Sequence, residues 1–140
     1  MYRYKKNRAA FTLVELLVVI IIIGLLASIV APKFFGKLDN AKVQTAKAQL
    51  ELISTALDTF RLDVGRYPST QEGLEVLWKN KNISNWNGKY LPKPLKEDPW
   101  GHSYEYKQPG SDGNEYDLLS FGADGVKGGS DLNEDISFWE

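Results

Sequence analysis

The chain has 140 residues, enough for one small domain and an anchor but too few for two ordinary domains. Its 17 basic and 18 acidic residues give a net charge of −1, yet Arg3, Lys5, Lys6 and Arg8 all fall in the first ten positions, leaving 13 basic against 18 acidic residues, or −5, for the rest. That acidic remainder argues against nucleic acid as a partner, and one histidine with no cysteine excludes disulfides, a zinc centre and a cysteine nucleophile.

Residues 11–31 hold a single charge, Glu15, in 21 positions. As a helix such a run is about 31 Å long and spans a bilayer once. A carboxylate at the bilayer centre costs about 2.5–3.5 kcal/mol or more, so even one near the edge calls for a partner or a function. The basic residues in front hold the amino terminus in the cytoplasm and send the remainder across the membrane. A secretory signal peptide is the alternative reading. The apolar run exceeds the usual core of about 7–15 residues, contains a carboxylate, and meets Pro32 straight after its small residues, all of which oppose that reading.

Beyond Pro32 the pattern turns amphipathic: Val43, Ala46, Leu50, Ile53, Leu57, Phe60 and Val64 recur at alternating steps of three and four. The pattern predicts one long helix from residue 11 to about residue 63, bent or locally melted at Pro32 and Gly36. A coiled-coil seam would give a similar stripe, but only about three heptads are present, which favours packing on a small sheet. Gly65-Arg66-Tyr67-Pro68-Ser69 ends the helix, and Ser69 precedes a short second one reaching Trp78.

Residues 85–99, with Pro92, Pro94 and Pro99, read as an extended loop. Strands are predicted at 103–107 and 116–121, joined into an antiparallel hairpin by the turn at 110–114. The fold class is therefore α+β: a long amino-terminal helix, transmembrane in its first half, packed on a small antiparallel sheet.

No nucleophilic triad is readable, because the one histidine, His102, lies in a Trp100-Gly101-His102-Ser103 turn and reads as a turn or surface residue. The stretch 122–135 is acidic and glycine-rich. Calcium takes six to eight oxygen ligands, and glycines let a loop aim its carbonyls inward. Asp124 and Asp131 would close such a loop, with carbonyls such as those of Phe121 and Val126 filling the shell. The spacing is not that of an EF-hand, and on chemistry alone a solvated turn with chance acids is an equal alternative.

The phrase Phe11-Thr12-Leu13-Val14-Glu15 behind a short basic leader resembles the class III signal of type IV pilins and pseudopilins. That resemblance implies removal of residues 1–10 by a prepilin peptidase, which cuts between Ala10 and Phe11 and methylates the new Phe11 amine. The family usually has glycine where Ala10 stands. Gly65-Arg66-Tyr67-Pro68-Ser69 with Glu72-Gly73-Leu74, Leu91-Pro92, Asp98-Pro99-Trp100-Gly101 with Tyr104-Glu105-Tyr106, and Ser120-Phe121-Gly122-Ala123-Asp124-Gly125 are together similar to the major pseudopilins of bacterial type II secretion systems.

Membership would imply a non-enzymatic subunit with a pilin-like fold, crossing the inner membrane once, its head in the periplasm. It would homopolymerise into a filament, the pseudopilus, that works with other pseudopilins and the inner-membrane secretion platform to export folded proteins. Glu15 would pair with the Phe11 amine of the adjoining subunit. The last loop would bind calcium through the Asp124 and Asp131 side chains and the Phe121 and Val126 carbonyls, with Asp135 a further candidate. The organisation expected is leader 1–10, transmembrane half-helix 11–31, amphipathic half-helix 32–64 and head 65–140. A type IV pilin or minor pseudopilin shares the leader and helix, though pilins often close their last loop with a disulfide, which this chain cannot form. A membrane-tethered binding module or hydrolase is the alternative from another class.

Overall fold

The apolar run favours helix until it meets a proline, and in the computed structural model, which describes residues 10–140, helix continues even there. The first nine positions, with the four leading basic residues, lie outside the described residues. A single α-helix, α1, occupies Leu13–Val64. It starts two residues later than residue 11, and neither Pro32 nor Gly36 melts it. Proline removes only one backbone hydrogen bond, a loss that the turns on either side of an apolar helix tolerate.

Two compact units make up the chain, Met1–Leu38 and Asp39–Glu140. In the first, every large apolar side chain from Phe11 to Leu38 is exposed. α1 is long and apolar enough there to cross a membrane. The second unit buries one face of α1, made of Ala46, Leu50, Ile53, Ser54, Ala56, Leu57 and Phe60. These positions carry the stripe read from the sequence, while Val43 and Val64, at its ends, are partly buried against the same core. Burying a side chain such as Leu57 or Phe60 stabilises the fold by about 1.5–3 kcal/mol.

The sheet facing this stripe has three short strands, β1 (Glu105–Lys107), β2 (Asp117–Ser120) and β3 (Ile136–Ser137). They pair antiparallel in the order β1-β2-β3, with Tyr106 opposite Leu118 and Ser120 opposite Ile136. Alternation along the strands buries Tyr106, Leu118 and Ser120 and leaves Glu105 and Lys107 in water. The predicted hairpin is present with shorter strands, and β3 is an addition that two residues of sequence could not announce. Side chains join helix to sheet: the Ser54 and Tyr116 hydroxyls lie 2.9 Å apart, and the Tyr104 hydroxyl donates to Gln49.

Past α1, Ser69 and Glu72 bond reciprocally, Ser69 N–H to Glu72 Oε2 at 2.8 Å and Glu72 N–H to Ser69 Oγ at 3.2 Å. The expected short second helix is present as a 3-10 helix, Leu74–Leu77, which starts only after Gly73 turns the chain at φ 64°. That helix buries Val76 and Leu77. The proline-rich stretch 85–99 is irregular, as expected, and is fixed by the Trp86 indole N–H on the Val76 carbonyl at 2.7 Å and by buried Leu91.

Arg66 grips both oxygens of Glu72 at 2.8 Å, and this bond is the main reason the carboxyl falls from an ordinary 4.5 to about 2. A depressed carboxyl stabilises the fold above its unfolded pKa and loses that contribution as pH falls through the folded value. Glu72→Gln should therefore flatten the fall of the unfolding midpoint between pH 4.5 and 2. Thermal unfolding across that window checks this, and an unchanged slope would count against the pair.

Candidate assembly and metal-binding sites

α1 begins at Leu13 because Thr12 caps it. The Thr12 N–H donates to Glu15 Oε2 at 2.9 Å, and the Glu15 N–H donates to Thr12 Oγ1 at 3.2 Å. This reciprocal box satisfies two donors that an apolar helix end would otherwise leave bare. The Thr-x-x-Glu spacing of Thr12 and Glu15 is the sequence signal for such a box. Negative charge in a first helical turn is also favoured by the helix dipole. Ala10 and Phe11 precede the helix and are exposed, Phe11 by 85%.

At the other end of the chain, β2 runs into the acidic loop. A bond from the Ala123 N–H to the Leu132 carbonyl, 2.8 Å, closes its neck. Asp124 and Asp131 are the residues just inside that neck, so folding brings the two predicted side-chain ligands to the same end of the loop. Asp124 accepts the Val126 N–H on Oδ1 at 3.1 Å, and its Oδ2 has no hydrogen-bond partner among the described residues. Asp131 has left-handed backbone, φ 53°, and lines a groove with Leu132, Glu134, Asp135 and Lys47.

Phe121 sits directly after β2 and Val126 near the loop tip, and among the described residues no backbone N–H donates to either carbonyl. The donor set is thus all oxygen, of the hard kind calcium prefers. Among the described residues no three His, Cys, Asp or Glu side chains cluster as a metal site, so a cation here would depend on those carbonyls. Asp135 is occupied elsewhere, since both its oxygens accept the Gly128 N–H, at 3.0 and 2.9 Å, and brace the far side of the loop.

Asp98 and His102, neither of which stands out in the sequence as a site residue, lie under this loop. Asp98 is only 4% exposed and accepts the Trp100 and His102 N–H groups, at 3.1 and 2.8 Å, and the Ser120 hydroxyl at 2.6 Å. His102 does sit in a turn, but its ring reaches the loop, with Nε2 3.3 Å from the Ala123 carbonyl. An aspartate two and four residues ahead of the amides it binds, beside proline and glycine, is the available sequence signal.

The exposed apolar helix with its capped carboxylate first defines a class: residues 5–31 match the prokaryotic N-terminal methylation motif. The remainder narrows it. Residues 33–139 match the family model for type II secretion system (T2SS), protein G, and the chain belongs to that family. It is 45% identical to the type II secretion system core protein G of Pseudomonas aeruginosa over 97% of this chain and 98% of that protein. Identity to the Vibrio cholerae core protein G is 39%, over 96% and 93% of the two chains. The crystal structure of the major pseudopilin from the type 2 secretion system of enterohaemorrhagic Escherichia coli superposes with a TM-score of 0.63 at 32% identity, covering 75% of this chain and 92% of that one. The long helix, three-stranded sheet and family together make the chain a subunit of the type II secretion pseudopilus.

The brace from Asp135 can be tested separately from any metal. In Asp135→Ala, the Gly128 amide should exchange with deuterium several-fold faster in chelator-treated protein while the core amides of α1 keep their protection. Equal exchange at Gly128 would show that the two bonds do not hold the loop.

Proposed function

We propose that this chain is a structural, non-catalytic subunit that waits in the bacterial inner membrane with its head in the periplasm and polymerises there into the pseudopilus. The observation carrying this reading is the lone capped carboxylate at the start of an apolar helix segment whose large side chains, from Phe11 to Leu38, are all exposed. Apolar side chains exposed from Phe11 to Leu38 suit lipid and, equally, the helices of neighbouring copies. In the head, every buried side-chain polar atom among the described residues already has a hydrogen-bond partner, which fits a folding role for those groups.

In this proposal a prepilin peptidase cuts between Ala10 and Phe11 and methylates the Phe11 amine. Glu15 then becomes the fifth residue of the mature chain and pairs with the amine of Phe11 in the adjoining subunit. The pair neutralises two charges in an apolar layer and sets the stagger between helices. Losing one partner of a buried pair costs about 3–5 kcal/mol. Subunits related by a rotation that does not close give a filament, which other pseudopilins and the secretion platform would initiate and extend.

Two measurements test the proposal. Mass spectrometry of the membrane form should find a methylated Phe11 start, and an intact leader would sink the reading. Glu15→Ala should insert and be cut but fail to enter filaments, so a normal filament yield would refute the register role.

We further propose calcium as the ligand of the last loop, held by the Asp124 and Asp131 side chains and the Phe121 and Val126 carbonyls. Support comes from the closed neck, the all-oxygen donors and the two carbonyls left without N–H partners. Bound only to the folded loop, calcium would add its binding free energy to the stability of a head without disulfides. Asp124→Ala should lower the melting temperature in calcium and make it indifferent to chelator. An Asp124→Ala protein that melts like the wild type, and responds to chelator as it does, would count against the site.

A further inference from the structure

Asp98 is a buried carboxylate, and its oxygens bond to the Trp100 N–H, the His102 N–H and the Ser120 hydroxyl. Burial of a charge without such bonds is costly, so a carboxylate in this position fixes the geometry of whatever donates to it. It fixes two things. The Asp98 N–H also bonds the His102 carbonyl at 2.7 Å, so the 98–102 turn is closed on itself and His102 has little backbone freedom. Ser120, wholly buried, receives the Gly122 N–H on its oxygen at 3.2 Å, tying the same carboxylate to the root of the acidic loop.

From that turn the His102 ring reaches into the first half of the loop. A carbonyl only accepts hydrogen bonds, so Nε2 carries the hydrogen that bonds the Ala123 carbonyl at 3.3 Å. The ring also lies against Gly125: a Cβ there would come within 2.7 Å of Cε1 and Nδ1, and the backbone has φ 67°. Only glycine admits both the ring and the turn. His102 thus contacts the residues on either side of Asp124, while Ser120, bonded to Asp98, holds Gly122 just beyond Phe121.

We propose that His102, anchored by Asp98, is a positioning residue that seats the first half of the loop, Phe121 to Val126, in its cation-binding shape. The inference rests on the calcium reading above and makes neither His102 nor Asp98 a ligand. A loop rich in glycine has much conformational freedom to lose on binding, at about 1–2 kcal/mol per residue fixed. Seating half of it beforehand removes part of that cost, as preorganisation does in other sites.

The test is calcium titration by calorimetry on the full chain in detergent, alongside melting of the calcium-free protein. His102→Ala should weaken calcium binding about 10- to 100-fold, the usual effect of removing a group that orients ligands. The calcium-free melting temperature should barely move. His102→Gln, which keeps an N–H to offer Ala123, should recover most of the affinity. Hydrogen exchange on the calcium-free proteins gives a second readout, with the Ala123 and Gly125 amides exchanging faster in His102→Ala alone. Unchanged affinity in His102→Ala, or a fall in calcium-free melting temperature that accounts for the loss, would overturn the proposal. Failure of the wild type to bind calcium would be seen before any variant is compared, and would remove the calcium reading together with this one.

Discussion

The head depends on one face of one helix. Its sheet has strands of three, four and two residues, too small to be stable unless something covers it. The second part of α1 provides that cover through Ala46, Leu50, Ile53, Ala56, Leu57 and Phe60, all nearly inaccessible to water. Because that face shares one core with Val76, Leu77, Leu91, Tyr106 and Leu118, a change on it affects sheet and loops at once.

Around that face the chain uses aromatic and polar contacts where other small exported domains use disulfides. Tyr116 is central: its hydroxyl meets Ser54 on α1, its ring packs against Tyr67, 4.9 Å between centroids, and its carbonyl accepts the Trp139 indole N–H at 2.7 Å. Burial pushes its phenol pKa up from the ordinary tyrosine range. Arg61 bridges Glu115 and Tyr67 at the outer edge of the same cluster. Such surface ion pairs contribute little individually, so here they mainly orient the rings that do the packing. A carboxyl-terminal Phe138-Trp139 pair against Tyr116 then holds β3 and the end of the acidic loop in place.

What the sequence made legible was periodic. A stripe repeated over six turns of helix announced the core face, and Tyr104 and Tyr106 on alternate positions announced the inward side of a strand. β3 stayed hidden because Ile136 and Ser137 are too few to show any period; they become a strand only through their partners Ser120 and Leu119. The reach of His102 was hidden for a related reason. Its surroundings come from Gly125 and Ala123, more than twenty positions away, and a lone histidine carries no spacing to compare. Pro32 looks like a break because a proline in isolation is one, yet an uninterrupted apolar helix absorbs a single missing bond. The Phe11-to-Glu15 phrase is readable as a signal, but its local physics, the Thr12 cap, shows only in the folded helix start.

The cap also sharpens what Glu15 can and cannot do alone. Thr12 supplies hydrogen bonds to and from this residue, which satisfies part of its geometry, but a hydroxyl and an amide bring no positive charge. In lipid the carboxylate would therefore stay bonded and still uncompensated. Its Oε2 holds the cap, whereas Oε1 has no partner among the described residues, so a cation from a neighbouring chain can be accepted without dismantling the helix start. In the proposed filament, local capping and intersubunit pairing would be successive uses of one carboxylate. The first would make a charged residue tolerable at the edge of a bilayer, and the second would supply what the bilayer cannot, a reason in free energy for the helix to leave it.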